Sequence, residues 1–199
     1  MEKWEKYKFQ PFLCNKLMLE VYEKIISNEI ITSEQEELNI LYDYLFKVEV
    51  WGYYELRLYN STMLLMNTEM VLTLSKTAYE KSTRYHKLKK INHVIVPILI
   101  NTLIHLIGPV NLGNEKIQKY KKEADIFFSY LENASIPESS LYERIQLLYI
   151  KGIYEIKMGD CKKGIAKANK AIKILSDLGS YDLVNNMESY LGLVLDVNE

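Results

Sequence analysis

LYERIQLLYIKGIYEIKMGD, residues 141–160, runs directly into CKKGIAKANKAIKILSDLGS, residues 161–180. Apolar side chains recur there at intervals of three and four, and the Gly159-Asp160 step divides the run. The stretch therefore reads as two helices, Ser139–Met158 and Asp160–Leu178, folded back on each other around that turn. Shifted by 100 residues, LYDYLFKVEVWGYYELRLYN (residues 41–60) aligns with the first half without a gap. Leu-Tyr-acid recurs at the start of both. Gly-x-Tyr-Glu-apolar-base-apolar recurs later, as Gly52 to Leu58 and as Gly152 to Met158. This is the signature of stacked helical hairpins, in which a glycine on one helix admits the next and the neighbouring tyrosine packs between repeats.

The best copy, Tyr149 to Leu178, matches much of the tetratricopeptide pattern: Gly152, the Gly159-Asp160 turn, Gly164 at the crossing position and Ala171. Ser176 stands where that pattern places proline, and the earlier hairpins exceed the repeat unit of about 34 residues. Working outward, the same periodicity predicts helices over Phe12–Asn28, with Pro11 in the first turn, and over residues 34–59, started by a Ser33/Glu36 capping box. A further stretch, capped by Asn60 or Ser61 and divisible at Asn67, runs to Ser82. Tyr85–Ile107 follows, with Pro97 expected to kink or break it, then Asn114–Glu132 and a last helix over Tyr181–Leu195. The expectation is an all-α, right-handed superhelix of about eight or nine tetratricopeptide-like helices, whose first helices line a concave face.

Composition narrows the function. Among 199 residues, 48% are hydrophobic and 26% charged, as in ordinary folded domains. With 25 basic and 26 acidic side chains the net charge is −1, so the basic excess that grips a phosphate backbone is missing. Lys outnumbers Arg 22 to 3, a bias of A/T-rich codons that suggests a low-GC bacterial source. Cys14 and Cys161 lie far apart outside any metal or redox motif and read as free thiols of a cytoplasmic protein. The apolar run Val94–Ile100 is too short, and too interrupted by Pro97, to span a bilayer. No nucleotide-binding, hydrolase or metal motif is present, and His86, His93 and His105 lack metal-ligand spacing. Neither catalytic residue nor cofactor is expected.

Two further stretches carry a resemblance. VEVWGYYELRLYNSTMLLM, Val48 to Met66, resembles the hallmark segment in the C-terminal domain of Rgg/GadR/MutR-type transcriptional regulators, members of the RRNPP quorum-sensing superfamily. ILINTLIHLI, Ile98 to Ile107, is similar to that family's apolar helix carrying an asparagine. The resemblance covers essentially the whole chain and implies one regulatory domain, residues 1–199, of a cytoplasmic quorum-sensing receptor. Such a domain binds a short hydrophobic signalling peptide and forms a homodimer. The family's N-terminal helix-turn-helix domain has no counterpart here, and DNA would be reached only through it.

The candidate peptide contacts follow from side-chain chemistry together with that resemblance. Asn101 lies on the stripe Val94, Ile98, Asn101, His105 of an apolar helix. One carboxamide there can donate to and accept from an extended peptide backbone, or it can bridge two helices. His105 shares the stripe, as a contact or as a structural residue. Asn60 is a second clamp or a helix cap. Arg57, Arg84 and Arg144 can hold a carboxylate bidentately or form surface ion pairs. Tyr53, Tyr130, Asn133 and Tyr142 complete the set, with core packing as the alternative for the tyrosines. Lys163, Lys167, Lys170 and Lys173 form a basic stripe, read as a solvated face or, under an adaptor reading, as a dock for a folded partner. Leu183, Val184, Met187, Leu191 and Leu195 offer a dimer or capping surface.

Overall fold

The structure, a computed structural model, describes residues 10–27, 36–83, 89–108, 114–134 and 136–196. Among these it is all helical. Ten α-helices and one 3-10 turn follow in order: α1 (Gln10–Ile26), α2 (Glu36–Lys47), α3 (Tyr53–Thr62), the turn Met63–Leu65, α4 (Thr68–Ser82), α5 (Lys89–Ile107), α6 (Glu115–Lys119), α7 (Lys121–Asn133), α8 (Leu141–Lys157), α9 (Cys161–Asp177) and α10 (Tyr181–Asp196). The chain divides into two compact units, Met1–Ile98 and Leu99–Glu199.

In the first unit, α1 buries Cys14, Leu17 and Val21, and α2 buries Leu38, Leu41 and Leu45. The expected single helix over residues 34–59 is two helices. Trp51, 1% exposed, turns back and donates its indole N–H to the Leu45 carbonyl at 3.0 Å. Gly52 then caps α3, its N–H donating to Glu55 Oε2 at 2.9 Å. These contacts close α2 and start a new helix, which no apolar periodicity could show. Trp51 meets the buried Tyr59 edge-on at 5.7 Å, and the Tyr59 hydroxyl donates to the Val71 carbonyl at 2.9 Å, tying α3 to α4. Asn60 sits inside α3 and caps nothing at its start. The α4 cap is Asn67, whose side chain accepts from Met70 N–H at 2.9 Å. The Ser33 half of the expected capping box lies outside the described residues.

Helix α5 continues through Pro97 without a break. Residues Lys90–Ile107 are long and apolar enough to cross a membrane, with mean hydropathy 1.5, and 61% of that window is buried. The shorter run read from the sequence understated this helix, and its apolar character serves the core. Gly108, at φ 72°, closes α5 in the left-handed region.

In the second unit, Tyr120 splits the expected 114–132 helix into α6 and α7. α7 buries Ala124, Phe127, Phe128 and Leu131. α8 and α9 form the predicted hairpin. A Cβ at Gly152 would stand 2.7 Å from the Gly164 carbonyl oxygen, and one at Gly164 2.5 Å from the Gly152 oxygen, so both must be glycine for the backbones to meet. Gly159, at φ 95°, makes the turn, and Asp160 caps α9. The two Gly-x-Tyr-Glu copies therefore differ in role: Gly52 begins a helix and Gly152 is a crossing point inside one. α10 buries Val184, Leu191 and Val194 and is pinned by the Tyr149 hydroxyl, which donates to the Met187 carbonyl at 2.7 Å. Ten helices stand where eight or nine were expected because the breaks at residues 48–52 and at Tyr120 rest on caps and side-chain contacts.

Candidate functional site

In α3, Tyr53, Arg57 and Asn60 fall at i, i+4 and i+7, on one face. Tyr53 and Arg57 are exposed and Asn60 is half-buried, while Leu56, Leu58 and Tyr59 hold the other side in the core. The Lys90 ammonium stands 4.1 Å above the Tyr53 ring, a cation–π contact. Sequence reasoning missed Lys90; the basic opening of its segment was the available signal. Arg84 lies outside the described residues, as does His86.

Along α5, most residues after Lys90 are buried. The accessible ones are Asn92, His93, Pro97, Asn101, Ile104 and His105, and the last four form a continuous helical stripe. Asn101 is half-buried, and its helix neighbours Ile98, Ile100 and Thr102 are at 0% exposure. Burial, helped by the nearby Lys116 charge, pulls His105 from 6.5 down to about 4. At neutral pH its imidazole therefore offers one donor and one acceptor and no charge.

The other candidates in the second unit are spread over α7 and α8. Tyr130 packs edge-on against Phe127 at 5.6 Å, and Asn133 is exposed at the end of α7. Tyr142 is exposed on the first turn of α8. Arg144 donates to the Ile136 carbonyl at 2.5 Å and to that of Pro137 at 3.2 Å, closing the loop before α8. The lysine stripe is not simply solvated: Lys167 and Lys163 reach Glu155 at 2.5 and 3.3 Å and brace α9 against α8. Lys157 is 3% exposed and donates to the Ile107 carbonyl at 3.2 Å, while Tyr190 donates to that of Gly108 at 3.0 Å. Both contacts hold the end of α5. Only the fold reveals them, because in the repeat alignment Lys157 pairs with the exposed Arg57.

A separate cavity of about 490 Å³ opens between α1 and α2, lined by Gln10, Ile40, Asp43, Tyr44, Lys47 and Val48. None of the candidate contacts lines it. Beside it, Tyr44 donates to Glu55 at 3.1 Å, and Tyr54 donates to Asn15 and to the Pro11 carbonyl at 3.0 Å each. Among the described residues, no group of three or more His, Cys, Asp or Glu side chains could hold a metal ion.

Among the described residues the fold is all helical, with a half-buried amide and a half-buried imidazole on an apolar helix. The chain belongs to the family of the C-terminal domain of the HTH-type transcriptional regulator Rgg, whose model matches residues 1–189. Its fold is similar to that of the SHP pheromone receptor Rgg2 of Streptococcus dysgalactiae, with 25% identity and a TM-score of 0.64, over 79% of this chain and 57% of the receptor. A Cys-to-Ser variant of the same receptor matches at 22% identity and TM-score 0.65, over 96% of this chain and 71% of that one. A transcriptional regulator of Listeria monocytogenes EGD-e matches at 20% and 0.71, over 98% of this chain and 65% of that one. The chain thus spans 57% of the length of the first of these receptors.

Proposed function

We propose that this chain is the sensory domain of a cytoplasmic transcriptional regulator and binds a short, largely apolar signalling peptide. The observation that carries the reading is the α5 stripe, where Asn101 and the uncharged His105 lie four residues apart among the accessible residues of an apolar helix. A carboxamide pairs with the N–H and C=O of an extended backbone whatever its sequence, which suits a peptide held mainly by apolar pockets. Family membership supports it, as does the likeness to a receptor for the SHP pheromone. Tyr130, Asn133, Tyr142 and Arg144 are the further contacts proposed in the second unit, and Tyr53, Arg57 and Asn60 those in the first, with Arg84. Binding shifts hairpin packing or homodimer geometry by its differential affinity for two states, and an attached DNA-binding domain reports the shift. No catalysis is assigned to it.

The test is fluorescence polarisation with labelled short hydrophobic peptides, the SHP pheromone among them. The wild type saturates with at least one, and Asn101→Ala weakens that binding by about tenfold or more. Failure of every peptide to bind, or equal binding by Asn101→Ala, overturns the assignment. The alternative, an adaptor that docks a folded partner through the lysine stripe or the concave face, would find Lys163 and Lys167 of that stripe already braced on Glu155.

A further inference from the structure

At its carboxyl end, inside the second unit, α5 is joined to α8 and α10 by side-chain bonds that form a closed triangle. The Gly108 N–H donates to the Ile104 carbonyl at 3.0 Å, so the helix closes its own last turn, and the carbonyls of Ile107 and Gly108 lie beyond that bond. Lys157 of α8 donates to the first at 3.2 Å, and Tyr190 of α10 donates to the second at 3.0 Å. Tyr149 completes the triangle, donating from α8 to the Met187 carbonyl of α10 at 2.7 Å. The corner at Lys157 is costly chemistry for packing alone. Its side chain is 3% exposed, and an apolar residue would fill the same space without desolvating an ammonium. What an apolar residue could not supply is a positive charge between two helix carboxyl ends, since Lys157 stands in the last turn of α8 and reaches the last residue of α5.

The triangle bears on the α5 stripe. Asn101 and His105 precede Ile107 on the same unbroken helix, about 9 and 3 Å along the axis at a rise of about 1.5 Å per residue. A helix gripped through two successive carbonyls by two different neighbours can neither slide nor turn without breaking one of the bonds. A turn by one residue would bury Asn101 and bring out Ile100 or Thr102, both now at 0% exposure. We infer that Lys157 and Tyr190 are positioning residues for the peptide site: by fixing the height and rotation of α5 they present Asn101 and His105 to the peptide without touching it. The inference rests on the peptide reading given above and adds to it two side chains that set its affinity. A plain helix cap would add stability and leave the affinity of the folded chain untouched.

The test is fluorescence polarisation with the labelled SHP pheromone, or with whichever labelled hydrophobic peptide saturates the wild type. Tyr190→Phe loses one oxygen, and Lys157→Met keeps the stem and loses the charge. Each should bind about fivefold or more weakly while the circular dichroism spectrum stays helical. In an Asn101→Ala background the loss should shrink to about twofold or less, because the main contact they position is gone. Without peptide, hydrogen exchange at residues 103–108 should quicken in both variants. Where Lys157→Met does not fold, Tyr190→Phe decides alone. Binding equal to wild type, unchanged exchange, or a loss of the same size with and without Asn101 overturns the inference and leaves the peptide assignment standing. A wild type that binds no peptide overturns the peptide assignment and this inference with it.

Discussion

A Cβ on Gly152 would meet the Gly164 carbonyl oxygen at 2.7 Å and the Ala168 nitrogen at 2.8 Å, both backbone atoms that cannot swing aside. Gly152→Ala should therefore force α8 and α9 apart and cost about 1–3 kcal/mol in urea unfolding. Gly192 has nothing within 4 Å of its would-be Cβ and lies inside α10, so Gly192→Ala should stabilise by about 0.5–1 kcal/mol. His105 supplies a pH signature. Its folded value of about 4 lies below its ordinary 6.5, so between these the unfolded chain binds the proton that the folded chain refuses. Stability should fall as pH drops from 6.5 toward 4, by about 1–2 kcal/mol from this group. His105→Gln should flatten that part of the profile, and an unchanged slope would remove His105 as its source.

At the scale of elements, caps and turns decide where helices start. Asn67→Ala removes the acceptor for Met70 N–H and should cost about 1 kcal/mol, read as a lower urea midpoint with unchanged slope. The sequence offered Asn60 or Ser61 as the cap and Asn67 only as a division. Trp51 and Gly52 start α3 early enough to leave both Asn60 and Ser61 inside it. The α8–α9 hairpin was fully legible, because its turn glycine, its cap and its crossing glycines are local in sequence. The Lys163 and Lys167 pairing with Glu155 was not, since a basic stripe reads the same whether or not a carboxylate faces it from the neighbouring helix.

Across the whole molecule, buried hydroxyls set the alkaline limit. Burial pushes Tyr54 from 10.0 to about 12, and it raises Tyr44, Tyr59, Tyr149, Tyr154 and Tyr190 in the same direction. Glu55 beside Tyr44 and Asp125 beside Tyr154 add to the effect. Above pH 10 the unfolded chain loses protons that the folded one keeps, so stability should decline. Lys116 and Lys157, lowered by burial, act oppositely between their folded values and 10.5, but two groups do not outweigh six. A Tm series from pH 8 to about 11 tests this, and a constant Tm would contradict the tyrosine burial.

The sequence by itself determined the helical class, the Tyr149–Leu178 hairpin and the family. Each rests on periodicity, on turn chemistry or on a local motif, and these are properties of neighbours in the chain. The tertiary structure decided the break at residues 48–52, the unequal roles of Gly52 and Gly152, the burial of Lys157 on the Ile107 carbonyl, and which candidates share a face. Those depend on hydrogen bonds and contacts between residues distant in sequence, whose partners exist only once the helices have packed.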